Sequence, residues 1–371
     1  MTSRARVFEL DDGNDPFEIC YEQGWTDGLP VVPPTEERVG QVLDYLGRDP
    51  AEVLGVIPPK NGIATLEKVA TNCVMAGCRA EYVPVVLAAL EAMLDEAFNL
   101  NGVEATQSSC EPLVIVGGPV VEALGFNCGE GVFGGGSRAN AAVGRAVRLI
   151  LWNIAGSIPG DIAKSPTSHP GRYTFCVAEN AAANPWAPLH TERGIPAEAS
   201  AVTVIACNPP FSLHFGGAYG PPTVRNILGV VSDALTRSAF HQIKFLSESL
   251  VVLGRAAARC LADEGWSRDE VRRRIYQQAH RPLRELSRSW YDPAVGNTRW
   301  PRWIDQTSLE TSVPALRSPE MLHLLVTGGE RGGAWCEGWH YSRIQSRAIR
   351  WPGGTSPIPP LARAGMEGAR S

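Results

Sequence analysis

Lysine is the scarcest charge in this chain: only Lys60, Lys68, Lys164 and Lys244 are lysine among 34 basic residues, the others being arginine. The arginines are interspersed with 39 acidic residues, the formal net charge is −5, and no basic stripe appears. Nucleic acid is therefore not an expected partner, because neutralising successive phosphates needs clustered cations. Arginine suits instead the planar, two-pronged recognition of carboxylate or phosphate. No CxxC pair occurs among the nine cysteines, which argues against a zinc ribbon or finger. Their odd number and irregular spacing point to reduced thiols, not a disulfide framework. Long apolar runs are missing too. The most apolar stretch, Ala139 to Ile154, is interrupted by Arg145, Arg148 and Asn153 and falls short of a bilayer span. Met1 to Asp15 holds no apolar core of a secretory signal. These absences predict a soluble, cytoplasmic protein with no membrane partner. No internal repeat stands out.

What is present is the balance of a folding chain. With 44% hydrophobic and 20% charged residues, enough apolar area is available to offset conformational entropy. A length of 371 residues admits one large domain or two packed ones. Thr35, followed by Glu36, Glu37 and Arg38, marks a helix start, with threonine as cap and acids in the first turn. Val53 to Ile57 reads as a strand. Helices are expected over Ala64 to Ala76, ending at Gly77, and over Ala80 to Leu94. Leu113-Val114-Ile115-Val116 is the all-apolar kind of strand that helices cover on both faces. Further strands are read at Phe175 to Ala178, Val202 to Cys207, Leu250 to Leu253 and Leu322 to Val326. Helices are read at Val224 to Phe240, Ala256 and Ser267. This alternation predicts an α/β fold: a mixed or parallel sheet flanked by helices, in two closely packed α/β lobes. The lobes are expected at 16–200 and 201–351, with a flexible arm over 1–15, an irregular insertion over 290–317 and a mobile tail over 352–371.

The strongest local signal for chemistry is the run from Cys128 to Asn140, a glycine-rich loop that empties into a helix start. Unpaired backbone N–H groups there, with Gly134, Gly135, Gly136, Ser137, Arg138 and Asn140, are suited to receiving an anion. The alternative is that the glycines serve only close packing of loop on helix. Gly129, Gly131 and Gly134 match GxGxxG, but no strand leads directly into the first glycine and no acid follows about twenty residues on, so a dinucleotide is not expected. Cys78 is read as lying at or beside the start of the helix that follows, where the helix dipole and Arg79 favour a thiolate. A small buried hydrophobe is the plainer reading. Glu179 and Asn180 follow a strand, and His190, Glu192 and Arg193 form a polar group downstream. Strand ends are where α/β enzymes place acid/base groups, and these side chains, with His214, also suit a divalent metal. Ordinary loop salt bridges explain them equally well.

Several segments together resemble an uncharacterised bacterial protein family associated with UGSC (seleno)proteins, a group named for a Sec/Cys-Gly-Ser-Cys motif. The resembling stretches are Gly24 to Thr35, Val74 to Tyr82, Arg138 to Asn140, Tyr173 to Asn180 and Pro185 to Gly194. The resemblance spans about residues 24 to 280 and implies an association with thiol or selenol redox chemistry. The naming motif itself is absent, Ser108-Ser109-Cys110 being the nearest approach. Cys78, Arg138, Asn140, Glu179, Asn180, His190, Glu192 and Arg193 all fall on resembling segments.

The sequence thus predicts an enzyme acting on a small carboxylate- or phosphate-bearing substrate by reductive cleavage, elimination or hydration. Cys78, Glu179, His190 and Glu192 are its expected catalytic groups; Gly134, Gly135, Gly136, Ser137, Arg138, Asn140, Asn180 and Arg193 are its expected substrate contacts. Two other readings stay open: an anion-binding partner subunit of a thiol or selenol protein, and a metal-dependent lyase or hydrolase. A homo-oligomer is expected, and no particular cofactor is indicated.

Overall fold

A computed structural model describes residues 7–11, 13–216, 220–237, 246–290, 303–305 and 307–354. Residues 1–6 and 12 of the expected arm, 291–302 and 306 of the expected insertion and 355–371 of the expected tail lie outside these.

The chain begins with helices α1 (Pro16–Glu22) and α2 (Glu36–Leu46), a hairpin of β1 (Val53–Ile57) and β2 (Gly62–Thr65), and helices α3 (Leu66–Met75), α4 (Val83–Met93) and α5 (Leu100–Ala105). Then come β3 (Glu111–Gly117), α6 (Val120–Ala123), α7 (Arg138–Asn153), β4 (Cys176–Ala178), β5 (Ala201–Cys207) and β6 (Phe211–Leu213). The remainder comprises α8 (Val224–Arg237), β7 (Ser249–Leu253), α9 (Arg255–Asp263), α10 (Arg268–Gln278), β8 (His280–Pro282), α11 (Leu283–Trp290), β9 (Ser312–Pro314), β10 (Leu322–Val326), β11 (Gly333–Glu337) and β12 (Gln345–Ala348). Thr35 caps α2 as its sequence predicts, its side chain accepting the Arg38 N–H. Among the described residues no helix is long and apolar enough to cross a membrane.

The fold is α/β, with two mixed four-stranded sheets, β12-β5-β3-β4 and β10-β7-β11-β6. Their inner faces meet. Leu113, Ile115, Val177 and Ile205 of the first sheet share one buried cluster with Leu250, Val252, Leu325 and Cys336 of the second. The outer faces carry helices: Val114, Val116, Cys176 and Val204 pack with α3, α4 and α7, while Val251, Leu253 and Leu324 pack with α8, α9 and α10. Four layers result, helix on sheet on sheet on helix. Alternate residues of β3 point into different cores, which is why that strand reads as an unbroken apolar run.

The two sheets have the same build, so the chain carries an internal repeat that sequence alone does not reveal. In each, a central strand (β3, β7) has a parallel neighbour on one side (β4, β10) and an antiparallel one on the other (β5, β11). The central strands start alike, Glu111-Pro112-Leu113-Val114-Ile115-Val116-Gly117 against Glu248-Ser249-Leu250-Val251-Val252-Leu253-Gly254. The fourth strands are exchanged. After β5 the chain crosses over and lays β6 beside β11; after β11 it returns and lays β12 beside β5. Each half thereby completes the other's sheet. The lobe boundary expected at 200/201 is displaced for this reason, because β5 pairs with β3 along its whole length and belongs to the first sheet. The strand ends are also tied, the Asn180 N–H donating to the Val326 carbonyl at 2.8 Å and the Thr327 hydroxyl to the Ala178 carbonyl at 2.5 Å.

Candidate functional site

Three segments far apart in sequence meet on the helical side of the first sheet. Helix α3 ends in a left-handed glycine, Gly77, with φ +82°. The Gly77 N–H bonds the Val74 carbonyl at 2.8 Å and the Cys78 N–H bonds the Cys73 carbonyl at 2.9 Å, the paired closure of a Schellman motif. The Gly77 carbonyl, left pointing outward, accepts both Nε and Nη2 of Arg138 at 3.1 and 3.0 Å. From the start of α2, Arg38 is held in a similar way, Nη1 donating to the Pro33 carbonyl at 3.0 Å. Between them lies a cleft of about 350 Å³ whose polar lining includes Arg38, Gln41, Arg79, Glu81 and Arg138, with Cys78.

The charges in this cleft are unequal, three guanidinium groups facing one carboxylate. Glu81 is taken by Arg79, whose Nε and Nη2 donate to its two oxygens at 3.3 and 3.2 Å. Arg38 and Arg138 are instead fixed by neutral carbonyls. Two oriented cations with no ion-pair partner among the described residues, in a chain that is acidic overall, make a place for an anion.

Cys78 is 9% exposed, and its thiol donates to the Ala142 carbonyl of α7 at 3.4 Å. Its helix environment is not the expected one. The next helical turn is a short 3-10 helix, Ala80–Tyr82, with Arg79 as its cap, and α4 starts only at Val83. Cys78 therefore sits just past the C-terminus of α3 and not at the start of α4, and the positive charge near it comes from arginine side chains. The Cys73 thiol lies against Cys78, and that contact, with burial, pushes the Cys73 pKa well up.

The glycine-rich loop divides into two parts. Gly134, Gly135 and Gly136 are exposed; a Cβ on Gly134 would lie 3.2 Å from the Gly131 carbonyl, whereas one on Gly135 or Gly136 would meet nothing within 4 Å, so packing does not account for those two. Ser137 and Asn140 are occupied. The Ser137 hydroxyl donates to Asn140 Oδ1 at 2.8 Å, and that oxygen also accepts the Asn127 N–H at 2.8 Å. Asn140 Nδ2 reaches the Asn127 carbonyl at 3.0 Å, which makes the pair a clamp on the loop.

Glu179 and His190 do come together, at the C-terminal end of β3. A Cβ on Gly117 would lie 3.0 Å from His190 Nδ1 and 3.4 Å from Glu179 Oε2. Both residues are 1% exposed. His190 Nε2 donates to the Pro196 carbonyl at 3.0 Å, which leaves Nδ1 as the lone-pair nitrogen, buried without a hydrogen-bond partner among the described residues. Burial lowers the His190 pKa and raises that of Glu179, although the Leu189 N–H donates to the carboxylate at 3.0 Å. Gly117→Ala should push His190 out of place and cost roughly 1–3 kcal/mol, read as a lower unfolding midpoint. An unchanged midpoint would show that the crevice has room to spare.

Glu192 belongs elsewhere. Its carboxylate bridges Arg268 at 2.8 Å and Arg272 at 2.5 Å, joining the turn Leu189–Arg193 to α10. Burial alone would raise its pKa, but His323 and the two arginines overcome that and hold it at about 2. A carboxylate so occupied is no base near neutral pH. Asn180 makes a turn, its Oδ1 accepting the Ala183 N–H at 3.1 Å, and Arg193 is exposed at the end of the same turn as Glu192. His214 is exposed on the loop after β6, apart from the Glu179 pair.

The structure thus unites Arg138 with Cys78 and Glu179 with His190, but not the two pairs. Cys78 packs in the helix-covered core, whereas Leu189, which holds Glu179, packs in the core between the sheets. Arg38, Gln41 and Glu81 join the site without having been singled out by the sequence. Among the described residues no group of three or more His, Cys, Asp or Glu side chains is placed to hold a metal ion. No protein-family model, no curated protein and no solved structure matches the chain.

Proposed function

We propose that the chain is an enzyme that binds a small carboxylate- or phosphate-bearing compound in the Arg38/Arg138 cleft and presents it to the Cys78 thiol. One observation carries this reading: two arginines, each oriented by a backbone carbonyl and neither matched by the cleft's single carboxylate, flank the same space as a thiol. The cleft also gathers Val32, Cys78, Arg79 and Arg138, which lie on three of the segments that resemble the UGSC-associated family. A second reading, an anion-binding partner of a thiol or selenol protein, is favoured by the separation of Glu179 and His190 from the cleft.

Titration of the full chain with acetate and with inorganic phosphate, followed calorimetrically, tests the binding step. Saturable binding to the parent, weakened in Arg138→Ala by the roughly 1.5–3 kcal/mol of a charge-assisted hydrogen bond, is expected. Equal affinity in variant and parent contradicts the assignment.

The thiol's surroundings give an independent readout. Negatively charged iodoacetate should label Cys78 faster, relative to neutral iodoacetamide, than it labels Cys260, whose neighbours include Glu264 and Asp263. Peptide mapping after brief exposure measures both ratios. Ratios that agree between the two cysteines would mean that the arginines exert no pull at Cys78.

A further inference from the structure

We infer that the cleft selects a monocarboxylate with a short hydrocarbon body over inorganic phosphate and over dicarboxylates, an inference that rests on the anion-binding reading above. The cleft is not polar throughout. Val32, Val42 and Val74 line it together with the arginines. Val42 and Val74 are 4% and 5% exposed and form a fixed wall, while Val32, 37% exposed, is held over the end of α3 by its N–H bond to the Met75 carbonyl at 3.0 Å. An inorganic ion leaves Val32, the exposed apolar side chain of the cleft, facing water. A hydrocarbon chain covers it and gains affinity with each methylene that it buries.

Glu81 limits the charge that the ligand can carry. The Arg79 fork is filled by both oxygens of Glu81, at 3.3 and 3.2 Å. A second carboxylate on the ligand has to displace Glu81 or lie against it, and like charges at that distance repel. What stays open is the pair Arg38 and Arg138, enough to match one carboxylate. The volume of about 350 Å³ is at the small end of ligand sites, which suits a compact acid.

The test is a ladder of ligands titrated into the full-length protein: acetate, butyrate, hexanoate, succinate, inorganic phosphate and uncharged 1-hexanol. Affinity is expected to rise roughly fourfold per added methylene until the cleft is filled. Succinate and phosphate should bind at least about tenfold more weakly than butyrate, and hexanol more weakly than hexanoate. Val32→Thr, at a part-exposed position that tolerates a polar atom, should flatten the ladder. Glu81→Gln should free Arg79 and raise succinate affinity about tenfold. A flat ladder overturns the selectivity, as does phosphate or succinate binding as tightly as butyrate, or hexanol as tightly as hexanoate; in each of these cases a charged ligand that still binds leaves the anion cleft standing. Absence of binding by every charged ligand overturns both.

Discussion

Replacing Arg38 and Arg138 together with alanine should abolish small-anion binding, a loss of roughly a hundredfold or more, while the chain stays folded. Each arginine contributes a charge-assisted hydrogen bond worth roughly 1.5–3 kcal/mol when its partner is an anion. The two act on one ligand, so the double variant loses the converging pair and retains only Arg79, which Glu81 already neutralises. Both side chains belong to exposed residues at helix starts, and their own bonds run to the Pro33 and Gly77 carbonyls, which water can satisfy in the variant. Calorimetric titration beside a melting curve separates lost binding from lost fold. A double variant that binds acetate as the parent does would end the case for this cleft.

The second large effect is on stability. Glu192→Ala should destabilise the protein by roughly 3–5 kcal/mol, because Arg268, 8% exposed, loses its ion-pair partner and Arg272, 7% exposed, keeps only the solvent-facing Asp269 at 3.1 Å. The unfolding midpoint should fall by on the order of 10 °C. This reverses what the sequence suggests for Glu192, where lost activity at unchanged stability is the natural expectation for an acid/base residue. The pH dependence carries the same sign. The Glu192 pKa is depressed from an ordinary 4.5 to about 2 in the folded chain, so the bridge contributes fully above pH 4.5 and its contribution is lost as pH falls toward 2. Glu192→Ala should therefore narrow its stability gap to the parent on acidification across that window. A gap that stays constant from neutral pH down to 2 would place the stabilisation in packing instead of charge.

Much of the layer structure is legible in the sequence, and the losses have specific causes. Leu113 to Val116 announces a strand covered on both faces because every residue is apolar, and Thr35 with its following acids announces α2 because capping is local chemistry. Strands β6 and β12 give no such sign. Phe211-Ser212-Leu213 and Gln345-Ser346-Arg347-Ala348 are short edge strands, and their pairing comes from the opposite half of the chain. That exchange also hides the repeat, since the two halves differ in the length of chain between corresponding strands while their central strands retain the Glu-x-Leu-Val-x-x-Gly pattern.

The site shows the same division. The Gly77 stop is readable, and with cysteines at 73 and 78 it fits the contact that accompanies a Schellman closure. Reading Cys78 forward into the next helix, instead of back onto α3, puts it at the wrong helix end. Arg38 looks like an ordinary first-turn residue of α2 because its role depends on where α3 ends and α7 begins. No local pattern encodes that meeting. Glu179 and His190 are close in sequence and end close in space, whereas Glu192, two residues beyond His190, faces α10 because a 3-10 turn rotates it away.

The most direct test is an anomalous-scattering experiment on crystals of the full chain soaked with 4-bromobenzoate, a monocarboxylate whose bromine marks the end opposite its charge. The bromine peak should lie against Val42 and Val74, with the carboxylate within hydrogen-bond distance of Arg38 and Arg138 and Cys78 alongside. A strongest peak elsewhere, with the cleft holding only water, would contradict the account.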